Sequence, residues 1–422
     1  MSLDNKLYTN EKQIEKVILI GIDTGTGNIE ESLDELEELA STAGAITLDK
    51  LIQKRVNVHP STYLGKGKIE EIKNQIIELD ATGIICDDEL SPAQMRNLER
   101  MLECKIMDRT MLILDIFAGR AKSKEGKIQV ELAQLRYRLS RLTGFGISLS
   151  RLGGGIGTRG PGEKKLETDR RYIRTRIGQL KSEVEELENH RELTRERRKK
   201  VGTPLIAIVG YTNAGKSTLL NALSGSDVLA EDKLFATLDP TTRGITLPGG
   251  SEILITDTVG FIRKLPHHLI KAFKSTLEEA QYADILLHVV DSTAKNIEAN
   301  VNTVYETLES LKALGKPVIT LYNKIDMYTP NILPADTRTE KTLKVSAKTG
   351  QGLEEVLVEI ENVLKESRKE IKALIPYSEV ALLQLIRGQG EKTIEEYKET
   401  GIYIEAYVDE NVYYKMEKYL IK

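Results

Sequence analysis

Residues 205–217 read LIAIVGYTNAGKS, an apolar run that ends in a glycine-rich turn and passes directly into Lys216 and Ser217. That order is the signature of a buried strand, a phosphate-binding loop and the first turn of a helix. Glycines at 210 and 215 let the backbone curl so that successive N–H groups face an anion. The helix opening at Lys216 adds the positive end of its dipole. In such a loop Lys216 reaches the β- and γ-phosphates as a point charge, and the Ser217 hydroxyl ligates Mg²⁺. Three further elements follow in order: DTVG at 257–260, NKID at 323–326 and SAK at 346–348. Asp257 ends the apolar run EILIT, where a Mg²⁺ carboxylate belongs. The Gly260 N–H is placed to reach the γ-phosphate, so loss of that phosphate would release the loop.

Base choice is carried by NKID. Asp326 can accept two hydrogen bonds from guanine N1–H and the N2 amine, whereas adenine would leave a buried carboxylate unpaired, a mismatch worth on the order of 10⁴-fold in selectivity. Asn323 braces the loops, the Lys324 stem covers the base, and the backbone at Ser346 and Ala347 meets the guanine oxygen. The expected nucleotide-binding set is Gly210, Tyr211, Thr212, Asn213, Ala214, Gly215, Lys216 and Ser217, then Asp257, Thr258, Val259 and Gly260, then Asn323, Lys324, Ile325, Asp326, Ser346, Ala347 and Lys348. Lys216 and Gly260 are the catalytic candidates here, and Ser217 and Asp257 the metal ligands. The reading is a chain that binds GTP or GDP and hydrolyses GTP.

The same region sets the fold. The runs LIAIV, EILIT, DILLHVV and PVITL alternate with helical stretches beginning near Lys216, His267, Asn296 and Gly352, a doubly wound α/β pattern whose motifs fall in the loops after strands.

At 422 residues the chain is too long for one core, so two to four domains are expected. Cys86 and Cys104 are the only cysteines, and no secretory leader or apolar run of 18 residues is present. The expectation is a soluble protein of a reducing, cytoplasmic compartment without a membrane span.

The net charge of −4 conceals an asymmetry. Residues 120–200 hold 22 Lys and Arg against 11 Asp and Glu, a local +11, which leaves −15 for the remainder. A segment of that charge suits a polyanion, nucleic acid foremost. The alternative is a solvated helical surface that pairs with the acidic domains. Ile128, Leu132, Leu135, Leu139 and Leu142 recur at heptad spacing, as do Ile173, Ile177, Leu180, Val184 and Leu187, which predicts two antiparallel helices. Between them, residues 144–162 contain eight glycines with Arg151 and Arg159, too few apolar groups for a core, so a mobile basic tip at 143–165 is expected. A seam satisfied within one hairpin favours a monomer.

Upstream, residues 15–120 read as another α/β unit. Its strand candidates are KVILIGI, TGIICD and the LIL of 112–114, with helices at ESLDELEELA and KIEEIKNQIIEL. GIDTGTGN at 21–28 is a glycine turn without a full phosphate loop and is discounted as a nucleotide site, while STYLGKGKIEE at 61–71 is a basic glycine turn before a helix, read as an ordinary helix entry with phosphate binding as the alternative. At the other end PYSEVALLQLI reads as a helix and IYIEAYV as a strand, with Tyr403, Tyr407, Tyr413 and Tyr414 expected in the core.

The expected architecture is α/β and multidomain: an N-terminal α/β domain (1–125), an antiparallel helical hairpin with a Gly-rich tip (126–200), a Ras-like GTPase domain (201–366) and a small C-terminal α+β domain (367–422). The phosphate loop, FATLDPTTR at 235–243, DTVGFI at 257–262, DRTMLILDIFAGRA at 108–121 and SRLGGGIGTRGPGE at 150–163 together resemble the HflX family of translational GTPases. The resemblance runs from about residue 15 to the end, with no quotable motif in the C-terminal domain. It implies cytoplasmic, ribosome-associated GTP hydrolysis, binding to the large ribosomal subunit and its rRNA, and splitting or rescue of stalled ribosomes. It also adds Phe235, Ala236, Thr237, Leu238 and Asp239 to the nucleotide-binding set. Thr237 becomes a catalytic residue that completes the Mg²⁺ shell, with Thr241 and Thr242 as nearby alternatives. Asn213 matches a residue that helps hold K⁺ in some potassium-stimulated GTPases. Where Ras-like enzymes orient water with glutamine, this chain has Phe261, so slow intrinsic hydrolysis is implied. Two other readings stay open: a GTPase of another class, such as tRNA modification, and a nucleotide-dependent scaffold that never cleaves GTP.

Overall fold

The computed structural model of the chain describes residues 14–25, 27–142, 161–225, 234–235, 237–266, 269, 274–328, 333–334, 336–366, 369–389, 391–408 and 410–421. Most of the expected glycine-rich tip, Ala236 and the helix start near His267 lie outside the described residues. The chain forms two compact units, Met1–Ser182 with Arg263–Ala272, and Glu183–Ile262 with Phe273–Lys422.

The first unit is built on a parallel sheet in the order β2-β1-β3-β4, formed by Ile46–Lys54 (β2), Lys16–Asp23 (β1), Gly83–Cys86 (β3) and Lys105–Asp108 (β4). Helices Ile29–Ala43 (α1), Lys66–Glu78 (α2) and Pro92–Leu102 (α3) make the crossovers. The interior of β1 and all of β3 are buried, as befits parallel strands covered on both faces.

The apolar LIL of 112–114 is not a strand. It lies in Arg109–Arg120 (α4), whose first turn is capped by Asp108 accepting from the Met111 N–H at 2.9 Å. Leu112, Ile113 and Leu114 are all buried. Only Asp115, Ala118 and Gly119 of this helix are exposed, so the buried triplet ahead of Asp115 has the appearance of a buried strand.

Ion pairs tie this unit together. The buried Arg109 donates to Asp87 at 2.8 Å and to Glu35, and Ser32 donates to Asp87 at 2.7 Å. Lys264 reaches Asp87 and, at 2.7 Å, Asp88, while Arg263 reaches Glu31 at 2.9 Å. Burial works against the Asp87 carboxylate, but Arg109 and Lys264 outweigh it and hold its pKa below the ordinary value. The residues that directly follow DTVGFI are thus fastened within the first unit.

Lys124–Leu142 (α5) and the 41-residue helix Pro161–Val201 (α6) carry the heptad pattern. Ile128, Leu132, Ile173, Ile177 and Leu180 are buried, whereas Leu135, Leu139, Leu142, Val184 and Leu187 are half-buried. Arg176 grips the Glu131 carboxylate with two bonds of 2.7 and 3.0 Å. The helix begins at Pro161, inside the stretch read as the tip, because proline lacks only an N–H that a first turn leaves unbonded. The division between the two units falls within α6.

The second unit holds a six-stranded sheet in the order β10-β9-β8-β5-β7-β6. Its strands are Leu205–Gly210 (β5), Thr241–Thr246 (β6), Glu252–Asp257 (β7), Ile285–Asp291 (β8), Val318–Asn323 (β9) and Lys341–Lys344 (β10). Only β6 runs antiparallel. Helices Lys216–Ser224 (α7), Lys274–Tyr282 (α8), Ile297–Ser310 (α9) and Leu353–Glu366 (α10) complete the doubly wound fold. Strand β5 has β7 on one side and β8 on the other, so the loop after it opens at the switch point of the sheet, where such folds take ligands.

The C-terminal part is a three-stranded antiparallel sheet, β11-β13-β12, of Lys369–Ile375 (β11), Glu391–Lys398 (β12) and Gly401–Val408 (β13), with helices Val380–Gln389 (α11) and Glu410–Met416 (α12). Its core comes from Ile402, Ile404, Ala406 and Val408 with Ile371, Ile386 and Met416. Of the four tyrosines expected there, only Tyr413 packs against it. Tyr403 and Tyr407 alternate onto the opposite face of β13, Tyr414 is exposed, and Tyr413 packs only at the edge. Lys398 lies 4.2 Å from the Tyr403 ring and Lys369 lies 4.8 Å from Tyr413, so the rings serve as cation supports.

Candidate nucleotide-binding site

The loop after β5 has a backbone that only certain residues permit. Gly210 has φ +156°, and a Cβ there would run into the Val289 carbonyl. Gly215, at φ +92°, caps α7 and leaves no room for a Cβ beside the Asn323 amide. The Thr212 N–H donates to the Phe261 carbonyl at 2.8 Å and the Phe261 N–H to the Gly210 carbonyl at 3.1 Å, which stitches the loop to DTVGF. A Cβ on Gly260 would lie 2.9 Å from both Lys216 Nζ and Thr212 Cα. The DTVG glycine is therefore required by the close approach of two loops.

Lys216 is buried, and its Nζ donates to the Tyr211 carbonyl at 2.8 Å. Burial pushes its ammonium down to about 8, with the Asp257 carboxylate offsetting part of the effect. Beside it, Ser217 Oγ donates to Asp257 Oδ2 at 2.7 Å and lies 2.7 Å from Thr237 Oγ1. Burial raises the Asp257 carboxyl, against the pull of Lys216 and Ser217. Asp257 Oδ1 and Thr212 Oγ1 are buried with no hydrogen-bond partner among the described residues. The hydroxyls of Ser217 and Thr237 and the single Asp257 carboxylate, whose Oδ1 is orphaned, form a hard-oxygen donor set suited to Mg²⁺, which characteristically takes one or two protein ligands and completes its shell with phosphate and water. Thr241 and Thr242 open β6, and Thr242 Oγ1 is engaged with Thr256 Oγ1 at 3.1 Å.

At the other end, Asn323 Nδ2 donates to the Ala214 carbonyl at 2.8 Å and its Oδ1 accepts from the Ala347 N–H at 2.9 Å. One side chain thus joins three motifs. Ser346 Oγ donates to Asp326 Oδ1 at 2.7 Å and accepts from the Thr349 N–H at 3.2 Å, which fixes the carboxylate that faces the cleft.

These loops enclose a cleft of about 450 Å³ within the second unit. Of the expected residues, Thr212, Asn213, Gly215, Lys216, Ser217, Phe235, Thr237, Thr258, Gly260, Asn323, Lys324, Asp326, Ala347 and Lys348 line it. Leu238 and Val259 are buried in the packing instead. Gly210, Tyr211, Ala214, Ile325 and Ser346 shape the wall through hydrogen bonds, and Asp257 sits behind Ser217. Asp239 is half-buried and does not line the cleft. Thr218 and Met327 line it as well. Each directly follows an expected motif, and that adjacency was the signal that could have found them.

Comparison with known proteins shows what the chain is similar to. Residues 30–118 match the family described as GTP-binding GTPase N-terminal, 120–198 the GTP-binding GTPase middle region, and 205–324 the 50S ribosome-binding GTPase family. A GTPase HflX of Lacrimispora saccharolytica is 59% identical over 400 residues, 94% of this chain and 95% of that protein. The chain belongs to the HflX family. The HflX GTPase of Escherichia coli K12 is 46% identical over 342 residues, 80% of each chain. A Sulfolobus solfataricus GTP-binding protein solved with GDP is 26% identical, with a TM-score of 0.44, covering 84% of this chain and 99% of that one. Like the other HflX proteins the chain is a GTPase. No described helix is long and apolar enough to cross a membrane.

Proposed function

We propose that this HflX GTPase binds GTP in the cleft after β5, hydrolyses it with Mg²⁺, and acts on the large ribosomal subunit to split or rescue stalled ribosomes. The observation that carries the site is the meeting of Ser217 from the first turn of α7, Asp257 from the end of β7 and Thr237 from the segment before β6, within hydrogen-bond distance. Ser217, Thr237 and Asp257 would hold the metal, which when bound draws negative charge from the phosphate oxygens. Lys216, positioned by α7, neutralises the β- and γ-phosphates. The Gly260 N–H reports the γ-phosphate to the segment that follows it. Asp326, held by Ser346, selects guanine.

Phe261 is 1% exposed and contributes only backbone bonds to the loop, so it offers no group to orient an attacking water. The missing order must come from a partner or from a cation beside Asn213, which stands in the left-handed region at φ +60° within the loop. A K⁺ ion there would supply part of the charge of an arginine finger. Faster turnover in KCl than in NaCl at equal ionic strength is the expected result, and equal rates would remove the cation from the reading.

The ribosomal part rests on the 50S ribosome-binding GTPase match and on the positive charge of residues 120–200. In this reading the N-terminal domain (1–125) and hairpin (126–200) approach rRNA, while the GTPase domain (201–366) times their release and the C-terminal domain (367–422) completes a cytoplasmic monomer. Steady-state GTP hydrolysis, measured with and without purified large subunits at fixed Mg²⁺ and K⁺, tests it. Strong stimulation is expected. Unchanged slow turnover would point to another partner.

A further inference from the structure

Lys324 occupies an unusual position for a long charged side chain. It lines the nucleotide cleft, its backbone is in the left-handed region at φ +63°, and its ammonium is bound to Asp291 Oδ2 at 2.7 Å. Asp291 is the last residue of β8 and stands in register with Asn323, the last residue of β9. The two strand ends are locked further by the Ser292 N–H donating to the Asn323 carbonyl at 3.0 Å. Asp291 has no rotational freedom of its own, because its Oδ1 accepts from the Thr293 N–H at 2.8 Å and the Thr293 hydroxyl at 2.6 Å. One carboxylate oxygen is therefore consumed by the turn after β8, and the other is aimed at Lys324.

The consequence concerns the four methylenes between the Lys324 backbone and its ammonium. The backbone end is fixed by NKID, where the Ile325 N–H donates to the Val345 carbonyl at 3.3 Å and the Met327 N–H to the Lys324 carbonyl at 3.0 Å. The charged end is fixed by Asp291. A chain pinned at both ends holds its apolar stem against the cleft wall and keeps its charge at the rim. A free lysine would have to be ordered by the ligand, at a loss of affinity.

We propose that Asp291 is a positioning residue for guanine nucleotides: it touches no part of the ligand and instead holds the Lys324 stem in place as a preformed cover for the base. This deepens the site reading above and rests on it. Asp291 supplies slow dissociation at the base end of the cleft, and Asp326 supplies the choice of guanine.

The test uses the full chain and a fluorescent GDP analogue, with dissociation followed in a stopped-flow chase by unlabelled GDP. Asp291→Asn keeps an oxygen for the Thr293 amide but removes the charge that holds Lys324. It is expected to speed dissociation by roughly three- to tenfold, the size expected from releasing one long side chain. Lys324→Ala should speed it at least as much, and adding Asp291→Asn to Lys324→Ala should change nothing more. A merely structural role for Asp291 would act in the Lys324→Ala background too, and such an independent effect would overturn the proposal. So would an unchanged rate in Asp291→Asn alone. Asp326→Ala separates the two levels of argument. If it abolishes GDP binding while Asp291→Asn is silent, only the positioning role fails, and if it leaves binding intact, the site reading itself fails.

Discussion

His288 is a single buried residue whose surroundings predict a response to acid. It lies in the middle of β8, is fully enclosed, and its Nδ1 is 3.8 Å from the Asp336 carboxylate, too far for a hydrogen bond. Asp336 in turn accepts from Tyr305 Oη at 3.0 Å, Thr320 Oγ1 at 3.1 Å and the Arg338 N–H at 3.2 Å. Burial pushes the imidazole below its ordinary 6.5. Burial would raise the Asp336 carboxyl, but the donors around it hold it well below the carboxylate range. Both shifts have the same sign in the stability balance. Below about 6.5 an unfolded chain protonates its histidine while the folded one resists. Below about 4 the same holds for the carboxyl, so the unfolded state takes up protons and gains in each window. Stability should therefore fall from pH 7 to pH 5, with a limiting slope of about 1.4 kcal/mol per pH unit for the one imidazole. Urea midpoints measured across that range should decline in the native chain and decline less in His288→Gln, which does not titrate. Identical slopes would assign the acid response to other groups. On the role proposed for Thr237 in the triphosphate state, Thr237→Ala should lower kcat for GTP by roughly 10- to 100-fold while leaving GDP affinity nearly unchanged. Equal losses in both would show that Thr237 holds the nucleotide in either state.

At the scale of elements, the end of α6 rests on one arginine. Arg195 donates to Glu278 at 3.3 Å from two nitrogens and to Glu279 at 3.0 Å, and its guanidinium stacks 4.0 Å over the Tyr282 ring, all on α8. Both carboxylates are largely buried. Removing the cation strands them, so Arg195→Ala should destabilise the second unit by on the order of 3 kcal/mol in urea unfolding. Arg195→Lys should recover less than half of that, since an ammonium cannot reproduce a fork that binds and stacks at once. Full recovery by lysine would reduce the contact to simple charge. None of this was visible in the sequence, where Arg195 is one member of a basic run and its partners lie more than eighty residues away. What could be read were features with a local cause. The helix at Asn296 is one, because Asn296 caps it by accepting from the Ala299 N–H at 3.3 Å. The strands β5 and β8 are others, because the sheet buries nearly every residue of each. Strand β2 escaped notice because ITLDKLIQK mixes charge with apolar residues and only Leu51 is buried. The cleft was more legible than the fold, since its loops need particular residues at glycine turns and at Asn323, whereas the pairing of Asp291 with Lys324 depends on which strand ends lie side by side.

For the whole molecule, the argument turns on separation of labour. Every described residue lining the nucleotide cleft lies between Thr212 and Lys348, within the second unit. The positive charge is concentrated elsewhere, in residues 120–200, which carry a local +11. Binding of that segment to rRNA should weaken steeply with salt, because each phosphate contact releases a counterion. Nucleotide binding is expected to show no such dependence on residues 120–200. Deleting residues 153–160 should accordingly leave GDP affinity within about twofold, the reproducibility of such a difference measurement, while reducing the stimulation of GTP hydrolysis by large ribosomal subunits. Asp257→Ala should reverse the order, impairing nucleotide handling first and stimulation only as its consequence. Titrating both variants against large subunits at two salt concentrations separates the contributions. The deletion should lower stimulation at low and moderate salt alike, with intrinsic turnover unchanged. Loss of nucleotide binding on deletion would mean that the basic segment and the cleft form one functional body, and the division of roles proposed for this chain would have to be abandoned.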